Sequence, residues 1–190
     1  VSFTGSTEVG GLFMKYSGES NLKTIGLEMG GKSPFIVLDD AKITDDLIDN
    51  AINSAFWNGG QNCSANMRQI IHSKVKDEFL DKVTKKVKAL KVGDPLDPTS
   101  NMGSMISKKH LATVDGFIQK GIDEGAKLLF GGVSGKEQKG FYARPTLFDD
   151  LKENMTIAQE EIFGPVLGIL TIKDADEALK VASNSKYGLH

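Results

Sequence analysis

The chain has 190 residues, 39% hydrophobic and 25% charged, with 23 basic against 25 acidic residues and a formal net charge of -2. That length suffices for one domain with a core, and the even charge balance gives neither an electrostatic footprint for nucleic acid nor an acidic tail. No apolar run approaches the roughly 20 residues of a membrane span, no secretory leader pattern opens the chain, and the single cysteine, Cys63, excludes an intrachain disulfide and fits a reducing, cytoplasmic setting.

In chain order, Val1–Phe3 reads as a short strand, and Thr4-Gly5-Ser6-Thr7 as a turn into a helix over Glu8–Tyr16 capped by Ser6 or Thr7. Leu22–Met29 alternates as a strand and is broken by Gly30-Gly31. Pro34–Leu38 is continuously apolar, as strands buried on both faces are. Thr44 caps a helix whose inward stripe is Leu47, Ile48, Ala51, Ile52, Ala55 and Phe56, with Asp45 and Asp46 in the first turn, where the helix dipole favours anions. That helix ends at Asn58-Gly59-Gly60-Gln61, just before Cys63.

Gln69–His72 is a further strand, and Val75–Leu90 an amphipathic helix with its lysines outward. A loop punctuated by Pro95 and Pro98 leads to a helix over Lys108–Glu124 and a strand over Ala126–Phe130. After the polar turn 131–140, Phe141–Phe148 is extended, with Pro145 pointing to an edge position. Thr156–Ile162 forms one or two helical turns, Val166–Ile172 a strand and Ala175–Ala182 a helix. Strands alternating with helices predict an α/β fold, with layered helices around a mostly parallel sheet.

Four segments carry chemistry. In Gly60-Gln61-Asn62-Cys63 the thiol follows a tight turn and precedes small polar residues. At a loop-to-helix junction, backbone N–H groups and the helix dipole would favour a nucleophilic thiolate, although a lone cysteine is more often a small core residue. Glu28 ends an apolar strand; apolar surroundings would suit it to act as a base near neutral pH, against the alternative of a solvated strand-end carboxylate or one paired with Lys32. Phe3–Gly10 is a strand, a Gly5-Ser6 turn and a helix start, which is an anion site or an ordinary capped helix. Glu160-Glu161-Ile162-Phe163-Gly164-Pro165 offers a carboxylate for ribose hydroxyls or a plain helix end. The three histidines, His72, His110 and His190, have no ligand spacing with one another or with Cys63, so no metal is expected.

Taken in order, FTGSTEVG, LEMGGKSPFIVL, NGGQNCSANMR and EEIFGPVLGI resemble the aldehyde dehydrogenase superfamily; VGDPLDPTSNMG, EGAKLLFGG, GFYARPTLF and NSKYGL extend the likeness over essentially the whole chain. The resemblance implies an enzyme that oxidises an aldehyde to a carboxylic acid with NAD or NADP. Cys63 falls on the nucleophile and Glu28 on the general base, Gly5 and Ser6 on the cofactor pyrophosphate turn, Glu161 on the nicotinamide-ribose carboxylate and Phe163 on the aromatic beside that ring. Trp57, Asn62 and Ser64 would shape the aldehyde pocket, with Trp57 otherwise one hydrophobic residue at a helix end; His110 sits near a position that approaches the cofactor, but reads first as a surface histidine of its helix. A coenzyme A-acylating relative and a non-catalytic member are the competing expectations; Glu28 weighs against the first, and the pairing of Cys63 with Glu28 against the second.

Val1-Ser2-Phe3 already reads as strand, and Tyr187–His190 stops without a terminating element, so both ends are read as cuts in a longer polypeptide. Residues 1–30 are then the tail of a cofactor-binding domain and 31–190 most of a catalytic domain. The isolated chain is expected to be inactive, and the parent a homodimer or homotetramer. The motifs around Cys63 suggest amino-aldehyde substrates.

Overall fold

The computed structural model describes residues 1–135 and 140–189; the predicted polar turn over 136–139 lies outside them. The first 28 residues make a small parallel pair, β1 (Ser2–Thr4) and β2 (Gly26–Glu28), joined by helix α1 (Thr7–Gly18). Ser6 caps α1, its hydroxyl accepting from the Val9 N–H at 3.3 Å. The strand predicted over Leu22–Met29 shrinks to three residues because β1 offers only three partners, and Leu22 is left-handed at φ 56°.

The remaining strands form one five-stranded sheet: β3 (Pro34–Val37), β4 (Arg68–His72), β5 (Lys127–Phe130), β6 (Thr146–Asp149) and β7 (Val166–Ile172). Their order is β3-β4-β7-β6-β5, parallel except for the antiparallel β5–β6 pair. Helices α2 (Asp45–Phe56) and α3 (Lys76–Ala89) cover one face; α4 (Lys108–Asp123), the short α5 (Thr156–Gln159) and α6 (Ala175–Ser183) cover the other. Alternation along β7 shows how both faces are served: Leu167 and Ile169 join Phe56, Phe79 and Val83 in one core, while Val166, Leu170 and Ile172 join Val114, Ile118 and Ile157 in the other. Burying each such aliphatic side chain contributes about 1.5–3 kcal/mol. No helix among the described residues is long and apolar enough to cross a membrane.

Three local expectations are corrected. Pro34–Leu38 is not buried on both faces: β3 is an edge strand of the described sheet, and Ile36 is 39% exposed. Pro145 does not mark an edge. It sits just before β6, which is internal and wholly buried, so its missing N–H falls outside the ladder. Helix α5 ends at Gln159, well short of Ile162. There the Glu161 N–H donates to the Tyr187 hydroxyl at 3.1 Å, and Lys186 holds Glu160, so tertiary bonds replace the next helical turn.

Candidate active site

Cys63 is positioned by a run of left-handed backbone. After α2, Asn58, Gly59 and Gly60 all have positive φ (53°, 63° and 70°), which reverses the chain in the 3-10 turn Trp57–Gly60. Asn58 and Gln61 brace the turn, each carboxamide donating to the other's backbone carbonyl at 3.1 Å. Cys63 then sits in a loop that runs into β4, not at the expected start of a helix. The segment between the 3-10 turn and Arg68 is too short for one, and Asn66 is already pinned by its N–H to the Ser54 carbonyl and its side chain to the Pro34 carbonyl. The Cys63 thiol is half-buried and lies 3.9 Å from Asn62 Oδ1. Asn62 is itself held by the Ser64 N–H and hydroxyl, at 3.3 and 3.2 Å. Among the described residues no protein acceptor takes the Cys63 N–H.

The strand end at Glu28 approaches this loop closely. A Cβ at Gly31 would fall 2.4 Å from the Cys63 carbonyl oxygen, so only glycine allows this backbone contact, while one at Gly30 would fall 2.2 Å from Glu161 Oε2 and displace that carboxylate. Glu161 Oε1 in turn accepts from the Gly31 N–H at 3.2 Å. Partial burial raises the Glu161 pKa, opposed by this N–H and by Lys32. The Glu28 carbonyl accepts from the Gly5 N–H at 3.0 Å, tying β2 to the turn before α1. Glu28 itself is exposed, contrary to the expected apolar setting, because Leu27 takes the inward side of the strand.

One cavity of about 440 Å³ gathers these pieces. Gly5 and Ser6 form one wall, Glu28, Met29 and Gly30 a second, Asn62 and Cys63 a third, and Glu161 with Phe163 a fourth. All six residues expected to be catalytic or cofactor-binding line it. Trp57, Asn62 and Ser64 line a second cavity of about 380 Å³, with Asn62 shared between the two. Trp57 is 67% exposed there. The donor set facing the first cavity suits a dinucleotide. The α1 N-terminus presents first-turn amides that suit phosphate, and Glu161 offers a carboxylate for hydroxyls. Among the described residues, no three His, Cys, Asp or Glu side chains gather as a metal site.

Two buried cations escaped the sequence reading. Lys32 is only 5% exposed, and burial, reinforced by Arg68, pushes its pKa down to about 7, while Glu161 and Glu160 pull the other way. Arg68 is 2% exposed and donates to four backbone carbonyls, those of Lys32, Val181, Ala182 and Asn184. The available signal was composition: Arg68 and Arg144 are the only arginines in a lysine-rich chain, and a planar five-donor fork is what a cluster of carbonyls selects.

Lys32 yields a stability prediction. Between pH 7 and 10.5 the unfolded chain holds a proton that the folded chain has lost, so this residue's contribution to stability rises with pH across that window, its penalty being fully present below pH 7. Lys32→Met is expected to stabilise the fold by about 1–4 kcal/mol at pH 7 and to flatten the rise; urea unfolding at several pH values checks both. An unchanged pH slope in the variant would count against a buried Lys32.

Over residues 1–190 the chain matches the family model described as "Aldehyde dehydrogenase family". It is 46% identical over 189 residues to retinal dehydrogenase 2 of Taeniopygia guttata, covering 100% of this chain and 36% of that protein. It is 39% identical over 189 residues to aminoacetaldehyde dehydrogenase of Pseudomonas aeruginosa, covering 100% and 38%. Its fold matches a crystal structure of indole-3-acetaldehyde dehydrogenase complexed with NAD+, with a TM-score of 0.95 and 43% identity, over 100% of this chain and 38% of that one. The chain therefore spans well under half the length of these relatives. A family match from the first residue to the last, joined to a fold shared at this level of identity, makes the chain a member of the aldehyde dehydrogenase family.

Proposed function

We propose that this chain is the catalytic segment of a longer enzyme that oxidises an aldehyde to a carboxylic acid with NAD or NADP. The observation that carries the reading is the single cavity lined by Cys63, Glu28, the Gly5-Ser6 turn, Glu161 and Phe163. Residues 1–30 then belong to the end of the cofactor-binding domain and 31–190 to the catalytic domain. The switch from the β1–β2 pair to the five-stranded sheet falls between Glu28 and Pro34, which supports that boundary.

In this reading the Cys63 sulfur attacks the carbon of an aldehyde bound in the cavity, forming a thiohemiacetal. The Cys63 N–H, which has no protein acceptor among the described residues, donates to the oxygen as negative charge develops on it. The bound nicotinamide cofactor supplies the hydride acceptor. Gly5 and Ser6, at the α1 N-terminus, would hold its phosphates, Glu161 its ribose hydroxyls and Phe163 its ring. The thioester left on Cys63 is hydrolysed by water from which Glu28 takes a proton; exposure gives the carboxylate direct access to that water. Glu28 in the cavity also favours hydrolysis over transfer to coenzyme A.

Glu28→Gln is expected to leave a stoichiometric burst of NAD(P)H and cut the steady rate by roughly 10²–10⁴-fold, the span of general-base effects. Stopped-flow absorbance on the full-length parent measures both phases. A variant turning over at the wild-type rate, or a wild-type product that is the coenzyme A thioester, would overturn the assignment. The isolated 190-residue segment is expected to give no sustained NAD(P)H, since its relatives are more than twice as long. The lone, half-buried thiol supports a cytoplasmic setting, and the family likeness a homodimeric or homotetrameric parent. Aminoacetaldehyde, indole-3-acetaldehyde and retinal, the aldehydes that the relatives' names carry, make the substrate panel.

A further inference from the structure

We propose that His110 is a positioning residue for Phe163 and, through it, sets the wall of the cavity facing Cys63; this rests on the cofactor site proposed above. Phe163 has φ 56°, a left-handed backbone that a phenylalanine adopts only when its surroundings impose it. His110 Nε2 donates to the Phe163 carbonyl at 2.6 Å, and the two rings meet edge to face with centroids 6.0 Å apart. The backbone that carries the imidazole is itself held. Ser107 caps α4 by accepting from the His110 N–H at 3.1 Å, which sets the side chain's place in the first turn.

One turn further along α4, Val114 presses on the next residue of the same segment. A Cβ at Gly164 would come within 2.5 Å of its Cγ2. On the far side, the Gly164 carbonyl lies against Gly60, where a Cβ would fall 2.6 Å from that oxygen. The approach to α4 also touches the cysteine loop directly, the Ile106 N–H donating to Gln61 Oε1 at 2.9 Å. The beginning of α4 thus braces both the aromatic wall and the turn before Cys63, and His110 is the side chain that grips the strained residue. Because a carbonyl only accepts, Nε2 must carry the proton, as both the Nε2–H tautomer and the imidazolium do.

The test compares full-length parent proteins carrying His110→Ala, His110→Phe or His110→Gln. Phenylalanine keeps the ring edge and loses the donor; glutamine keeps an N–H donor and loses the ring. In the cofactor-free protein, hydrogen exchange over 160–166 is expected to quicken in the Ala and Phe variants and to return towards wild type in Gln. The calorimetric Kd for NAD+ is expected to weaken roughly tenfold in Ala and Phe, the size of one lost hydrogen bond, with KM for the cofactor following it and Tm close to wild type. Gln should recover to within about threefold. Unchanged exchange and affinity in both Ala and Phe, losses that only track a fall in Tm, or no recovery in Gln would overturn the role of His110. A wild-type parent that binds no dinucleotide would instead sink the cofactor site itself, while the exchange measurement would still report on the His110 contact.

Discussion

Replacing Cys63 with serine in the full-length parent is expected to reduce aldehyde-dependent NAD(P)H formation by roughly 10⁴–10⁶-fold, the loss seen when a covalent nucleophile is removed. The substitution is nearly isosteric, and the loop that carries the thiol is held by groups the change does not touch: the Asn58–Gln61 brace, the Asn62–Ser64 bonds and the Asn66 links to Ser54 and Pro34. The variant is therefore expected to fold and to keep its affinity for NAD(P). A serine hydroxyl is far less nucleophilic than a cysteine sulfur at neutral pH, and the two histidines among the described residues are engaged elsewhere: His72 bonds the Lys173 carbonyl and His110 the Phe163 carbonyl. A steady-state assay with the aldehyde panel, beside a cofactor titration, checks the result. Retention of more than a few per cent of the rate would remove Cys63 from the chemistry.

The largest effect on stability is expected at Arg68. Arg68→Ala removes the donors to the carbonyls of Val181 (3.0 Å), Ala182 (2.8 Å), Asn184 (3.4 Å) and Lys32 (3.2 Å), all gathered where β4, the end of α6 and the start of β3 meet. The Val181 carbonyl keeps the Asn184 N–H and the Asn184 carbonyl keeps Gln159 Nε2, so the carbonyls of Lys32 and Ala182 bear the loss, at about 1–3 kcal/mol each, and the vacated volume adds to that. Water entering the hole and relief of the repulsion on Lys32 offset part, leaving an expected loss of about 3–5 kcal/mol, a large fraction of the 5–15 kcal/mol that holds a typical domain together. Arg68→Lys should recover little, since an ammonium has no planar fork to reach four acceptors. Lys32 should also titrate above its value of about 7 once the neighbouring guanidinium is gone. Urea unfolding of the three proteins measures the loss; a change under about 1 kcal/mol in Arg68→Ala would contradict this account of the junction. The damage should reach the active site too, because the Lys32 carbonyl adjoins Gly31, whose backbone packs on Cys63.

Much of this was legible in the sequence, and the pattern of success has a physical basis. Helices with strong apolar periodicity and clear caps, such as α2 behind Thr44 and α4 behind Ser107, have ends within a residue or two of those expected. Strand β7 matches its prediction at both ends because it is central and apolar on both faces. The cavity residues were found because their segments carry recognisable motifs: Gly5-Ser6, Glu28, Cys63 and Glu161-Phe163 lie far apart in sequence and meet at one cavity.

What the sequence did not yield were the consequences of tertiary contact. The short α5 ends early because Tyr187 and Lys186, some 26 residues downstream, capture Glu161 and Glu160. Glu28 is exposed because a three-residue strand turns its neighbour Leu27 inward, a choice set by register against β1 and not by local hydropathy. Lys32 entered only as a possible partner for Glu28, yet Ser33 and Pro34 take the chain straight into the sheet and bury it. His110 looked like a surface helix histidine, and only the left-handed Phe163 opposite it reveals the contact.

The central claim is that a thioester forms on Cys63 and that Glu28 releases it. The most direct test mixes full-length Glu28→Gln protein with an accepted aldehyde and NAD(P), quenches within the burst, and reads the intact mass and the peptide containing Cys63. The account predicts one acyl group per active site, on Cys63, in an amount equal to the NAD(P)H burst and absent from the Cys63→Ser protein. NAD(P)H formed with no acyl group on Cys63, or an acyl group carried by another residue, would contradict it.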